Sequence, residues 1–110
     1  MVIMARRRRY SLVFAVEVKQ HRRSIEAKHH LLIREAIEEQ LFDQPDVETR
    51  NRKPLVQAAS FDSTWEIRFG PDNRFRVLYD IDQEDREVHV LAVGVKVGHR
   101  LVVGGEEIEL

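Results

Sequence analysis

Four side chains between Glu66 and Lys96 have the types and spacing for phosphate chemistry. Trp65-Glu66-Ile67-Arg68-Phe69 alternates apolar and charged residues, and Arg74-Phe75-Arg76-Val77-Leu78-Tyr79-Asp80-Ile81 follows after Gly70-Pro71-Asp72-Asn73. Paired as strands in the register that joins Phe69 to Phe75, these segments put Arg68 opposite Arg76. Like charges directly across a strand pair repel, so two guanidiniums there are either splayed into water or held for an anion. Val88-His89-Val90-Leu91-Ala92-Val93 then ends at Gly94 and brings Lys96 toward the start of the Arg74–Arg76 strand. Three cations converge at one end of a sheet. Arginines stay charged at working pH and fork onto phosphate oxygens, and fixed cations stabilise charge that grows in a transition state. Glu66, one side-chain step from Arg68 on the same face, is the candidate base, and His99 the candidate donor to a leaving group. The alternatives are a structural ion pair for Glu66 and an ordinary solvated strand face for the whole cluster.

The surrounding pattern supplies a sheet to hold such a cluster. The two-residue periods of Trp65–Phe69 and of Phe75, Val77, Tyr79 and Ile81 predict half-buried strands. Gly70–Asn73 has turn chemistry, and Asp82-Gln83-Glu84-Asp85-Arg86 reads as a charged turn. Val88–Val93 suits a central strand buried on both faces, with His89 expected to pair across to Asp80. Tyr10–Val16 is a first strand. Glu17–Arg23 is a short helix or a linker. Ser24 is an expected N-cap, with Glu26 in the first turn, of a helix over Ile25–Phe42. Its stripe is Ile25, Leu32, Ile33, Ala36, Ile37 and Leu41. Adjacent His29 and His30 point in different directions and lack the spacing of a metal pair. No metal or other cofactor is expected.

Pro45 ends the helix, and Asp43–Ser63 is long for a structureless connection, with Leu55, Val56 and Phe61 available to pin it. Leu101-Val102-Val103 is one more short strand or an arm. The order predicts an α+β fold: a small antiparallel sheet of about four strands with helices on one face. Residues 1–9 read as a flexible basic lead containing Arg6–Arg9, 10–103 as the single domain, and 104–110 as an acidic tail.

Length and composition narrow the classes. The 110 residues make one domain. A formal net charge of −1 gives no bulk attraction to nucleic acid, so such a role must rest on a local patch. With no cysteine, a disulfide framework, a thiolate zinc site and a cysteine nucleophile are excluded. No apolar run approaches the roughly 18 residues of a membrane helix, and a cytosolic address is the default.

The ordered set Trp65-Glu66-Ile67-Arg68-Phe69-Gly70, Arg74-Phe75-Arg76-Val77-Leu78-Tyr79-Asp80-Ile81-Asp82 and Val90-Leu91-Ala92-Val93-Gly94-Val95-Lys96 resembles the RelE/ParE superfamily. These are the toxins of type II toxin–antitoxin systems, and the likeness runs over about Tyr10 to Val103. It implies a toxin neutralised by a cognate antitoxin, with no membrane partner. RelE-like members cleave mRNA in the ribosomal A site, and ParE-like members inhibit DNA gyrase. Carried over, Arg68, Arg76 and Lys96 are the expected catalytic residues of a ribosome-dependent mRNA endoribonuclease, with Glu66 beside them as the candidate base read from its residue type; the alternatives are a ParE-like toxin acting on DNA gyrase and a degenerate member that only binds its antitoxin. Arg74, Arg100, His99, Lys53 and Arg52 are its expected RNA contacts. The sequence departs from the family at Glu66, where a second lysine is common, and in having no tyrosine after Lys96.

Overall fold

The computed structural model describes residues 2–3, 9–56 and 60–108, with residues 2, 3 and 60 described by backbone alone. Its strands are β1 (Val2–Ile3), β2 (Ser11–Phe14), β3 (Arg52–Pro54), β4 (Trp65–Phe69), β5 (Phe75–Asp82), β6 (Glu87–Val97), β7 (Arg100–Val103) and β8 (Glu106–Ile108). The helices are α1 (Glu17–Arg23) and α2 (His30–Leu41). The sheet runs β1-β2-β6-β5-β4-β3, while β7 pairs with the far half of β6 and β8 with β7. All neighbours are antiparallel except β2 with β6, whose parallel pairing follows from the long helical crossover between them. The α+β class is as expected, but among the described residues the sheet has eight strands rather than about four. The additional strands β1, β3 and β8 are two or three residues long, too short to carry a period of their own.

The meander β4–β5–β6 has the expected register. Phe69 pairs with Phe75 and Arg68 with Arg76. Gly70 makes the turn possible at φ +81, where a Cβ would lie 2.6 Å from Phe75 Cδ2. Between β5 and β6, Leu78 pairs with Ala92 but Tyr79 with Val90, so Leu91 is an extra residue in a β-bulge. The bulge moves the helix-facing set of β6 from Val88 and Val90 to Val93 and Val95, which all belong to or pack on one core. That is why the strand looks apolar on both sides in sequence.

Helices cover one face. Val18 of α1 and Ile33, Ile37 and Leu41 of α2 pack with Leu12, Ile67, Phe75, Val77, Tyr79 and Val90. The expected single helix over Ile25–Phe42 is a short 3-10 turn, Ala27–His29, followed by α2. Ser24 does not open it: the Ser24 hydroxyl donates to the His21 carbonyl at 2.7 Å and closes α1. Leu32 is 39% exposed and sits at the margin of the stripe.

The connection from Asp43 to Ser63 is pinned onto the sheet. The Tyr79 hydroxyl donates to the Pro45 carbonyl at 2.7 Å, and burial pushes its pKa up. β3 pairs with β4, and Leu55 and Thr64 share a backbone bond. Val56, an expected anchor, is fully exposed, and Phe61 is 37% exposed. The second face of the sheet carries a smaller apolar cluster of Leu78, Ala92, Leu101 and Val103, with Ile108 against it. Within the basic lead Val2–Ile3 is β1, while Arg6, Arg7 and Arg8 lie outside the described residues. Within the acidic tail Glu106–Ile108 is β8.

Candidate functional site

Alternation along the strands sorts charge onto the second face. The pairs Glu66–Leu78–Ala92 and Arg68–Arg76–Gly94–Val103 form two rows across β4, β5, β6 and β7. In the second row Gly94 has no side chain because a Cβ would meet Val103 Cγ2 at 2.8 Å. Arg68 and Arg76 converge on one carboxylate oxygen, Glu66 Oε1. Arg68 approaches it through Nε at 3.3 Å and NH2 at 3.2 Å, and Arg76 through NH1 at 3.5 Å. Arg76 Nε also donates to the Asn73 carbonyl at 3.2 Å. Burial pulls the Arg76 pKa down, Glu66 opposes that, and Arg68 adds to it. Arginine remains protonated under such a shift. Two cations around one anion leave one net positive charge.

Depth separates the two arginines. The Arg68 side chain is 29% exposed, that of Arg76 10% and that of Glu66 4%. Arg68 is thus the head that water reaches. Glu66, expected as the base, is buried beneath both guanidiniums with its Oε1 occupied by them. There it offsets the repulsion between the two arginines.

Lys96 lies two residues beyond Gly94 on the same face, opposite Leu101 of β7, and its backbone amide donates to the Arg74 carbonyl at 2.6 Å. Lys96 and Arg74 are exposed and line a shallow polar groove with Pro71, Asp72, Val97 and Gly98. The Arg74 guanidinium sits 5.3 Å from the centre of the Phe75 ring. Asp72, which in sequence reads as turn chemistry alone, is an acid lining the same groove as these cations. Its position, with φ +55 in the β4–β5 turn, is its only signal.

The remaining expected contacts divide. Lys53 pairs in register with Glu66 and so shares the face. His99 is exposed in the β6–β7 turn. Arg100 alternates to the other side of the hairpin, where its NH1 meets Glu107 Oε2 at 3.2 Å. Arg52 is no RNA contact: it is 6% exposed on the helix face. Its Nε donates to the Val47 carbonyl at 2.7 Å, and its NH1 to the Gln40 carbonyl at 2.7 Å and to Gln40 Oε1 at 3.1 Å. It satisfies a carbonyl of the last turn of α2. His89, expected on Asp80, turns instead to Glu87 Oε1 at 3.0 Å, because Asp80 accepts from the Thr64 hydroxyl.

A second concavity, of about 470 Å³, lies between the helices and the end of β2. Phe14, Val16, Val18, Leu31, Ile33 and Ile37 make its wall, and Lys19, Arg22 and Arg34 its rim. Val16 and Leu31 are 66% and 64% exposed, an unusual outlay of apolar surface for so small a domain.

A solved structure shares this architecture. A chain of the RelBE2 toxin–antitoxin complex from Mycobacterium tuberculosis superimposes with a TM-score of 0.63 over 79% of this chain and 98% of that one, at 24% identity. The chain has a RelE-type fold. No family model and no curated protein matches the sequence. Within the RelE-type fold, the Arg68–Glu66–Arg76 cluster sits on the sheet face away from the helices. Among the described residues, no helix is long and apolar enough to cross a membrane.

Proposed function

We propose that the chain is the toxin of a type II toxin–antitoxin pair and grips RNA in the cytoplasm through Arg68, Arg76 and Lys96. The observation that carries this reading is the meeting of Arg68 and Arg76 on one buried carboxylate. Two adjacent cations that repel have been assembled and braced at a cost, which suits an anionic ligand. Arg68 offers the exposed head, Arg76 fixes it from below through Glu66, and Lys96 with Arg74 extends the positive track along the neighbouring groove. On mRNA in the ribosome these groups would hold the phosphate during attack by the adjacent 2′-hydroxyl and stabilise the charge that develops. Asp72, exposed beside Lys96, is a better-placed proton acceptor than the occupied Glu66.

The cognate antitoxin is proposed for the groove between α1 and α2. An amphipathic segment would seat apolar anchors on Val16, Leu31 and Ile37 and place acids against Lys19, Arg22 and Arg34. The occupation of Glu66 by both arginines also favours a second reading, a non-cleaving toxin that blocks a target such as DNA gyrase.

Expression of the chain with and without its neighbouring gene separates these. Growth arrest with new mRNA ends at ribosomal A sites, abolished by Arg68→Ala, is the expected result. Arrest with intact mRNA and altered DNA supercoiling selects the second reading, and absence of any arrest overturns both.

A further inference from the structure

The opposite end of the second face has the reverse chemistry. Asp82 of β5 and Glu87 of β6 are direct cross-strand partners, and His89 follows Glu87 by two residues on the same face. One ligand atom from each of Asp82, Glu87 and His89 lies within 4.8 Å of the other two. We propose that these three residues bind a divalent first-row transition ion, with zinc as the best match.

Three features carry the assignment. The donor set is one imidazole nitrogen with two carboxylate oxygens, a combination suited to zinc and its neighbours, whereas magnesium and calcium prefer oxygen alone. The spacing is close to that of a coordinated set. His89 Nε2 is already 3.0 Å from Glu87 Oε1, and donors around one zinc stand about 3–3.5 Å apart. An Asp82 carboxylate oxygen lies within 4.8 Å of both. The electrostatics ask for a cation as well: two carboxylates directly opposed across strands repel. Among the described ion pairs, neither carboxylate has a lysine or arginine partner, and the guanidinium of Arg86, in the turn between them, lies over the Tyr10 ring at 4.8 Å.

The scaffold is firm. All three residues stand on strand positions flanking one turn, and Tyr10 ties that turn down by donating to Gln83 Oε1 at 3.0 Å. The Asp82 carboxylate is oriented by the Asp85 amide at 3.0 Å. The His89 and Glu87 side chains are 27% and 31% exposed, which leaves a side open for a water as fourth ligand. Asp82 is six residue steps along β5 from Arg76, about 20 Å of strand, so the ion would staple the β5–β6 turn without touching the cationic cluster.

Calorimetry of the untagged chain with Zn²⁺ tests this. One equivalent should bind, and His89→Ala should weaken it by more than about 10-fold, since even outer partners of a metal are worth that much. His99→Ala should leave it unchanged. Zinc should raise the melting temperature of the wild-type chain and not that of His89→Ala. In the unsubstituted protein, Co²⁺ should shift the ring resonances of His89 selectively by NMR, a readout that needs no variant to fold. No binding, binding that survives His89→Ala, loss of binding in His99→Ala, magnesium binding as tightly as zinc, or an unperturbed His89 ring would each overturn the proposal.

Discussion

The two faces of the sheet use arginine in opposite ways. On the helix face, Arg52 is buried and spends its donors on the carbonyls of Val47 and Gln40 and on Gln40 Oε1, neutral oxygens that a folding chain must satisfy. On the second face, Arg76 is nearly as buried but faces a carboxylate that it shares with another arginine. Removing Arg52 would leave orphaned carbonyls. Removing Arg76 would leave an anion with one partner and relieve a repulsion. The first arrangement is explained by the fold alone. The second is not, because apolar residues in place of a buried ionic triad are often at least as stable. That excess of charge over structural need supports the anion-binding role proposed for this face.

Substitutions that compare the faces sharpen this contrast. Arg52→Ala should have the largest effect, a loss of about 2–4 kcal/mol in urea unfolding, because hydrogen bonds to a charged donor vanish and the buried carbonyls stay. A loss under about 1 kcal/mol would erase the distinction between the faces. Arg76→Ala should cost less, about 1–3 kcal/mol. The Arg76→Ala/Glu66→Gln double variant should lose less than the sum of the two single variants, the sign expected when the three side chains share one interaction. Strict additivity in that cycle would mean that the triad is not coupled.

The smallest effect should be a pH dependence seated on the helix face. His21 Nδ1 accepts from the Val93 amide at 3.3 Å, and burial lowers the pKa of His21 from 6.5 against an opposing pull from Glu17. Its contribution is therefore present above pH 6.5 and is lost as pH falls from there toward the folded-state pKa. Thermal unfolding from pH 7.5 to pH 5 should show a loss of stability that His21→Gln removes; an unchanged slope in that variant would assign it elsewhere.

Much of this was legible because strands and helices write their periods into the chain. Arg68 opposite Arg76 followed from matching Phe69 to Phe75, and the turn at Gly70–Asn73 from its composition. Lys96 beside Arg74 followed from the length of the third strand. Arg52 reads in sequence as an RNA contact because a cation in a polar loop looks solvated, and only the approach of α2 presents Gln40 to it. The role of Glu66 was hidden for the same reason: residue type names a base, but only depth shows that both arginines already hold its oxygen.

Local pattern by itself determined the class of fold, the meander and the side of each strand on which charge would fall, since a two-residue period depends on neighbouring residues alone. Tertiary structure decided which charges are buried, which share a partner and how many short strands complete the sheet. Those outcomes depend on segments far apart in the chain, such as β7 against Gly94 and Gln40 against Arg52, and their approach leaves no periodic mark on either segment.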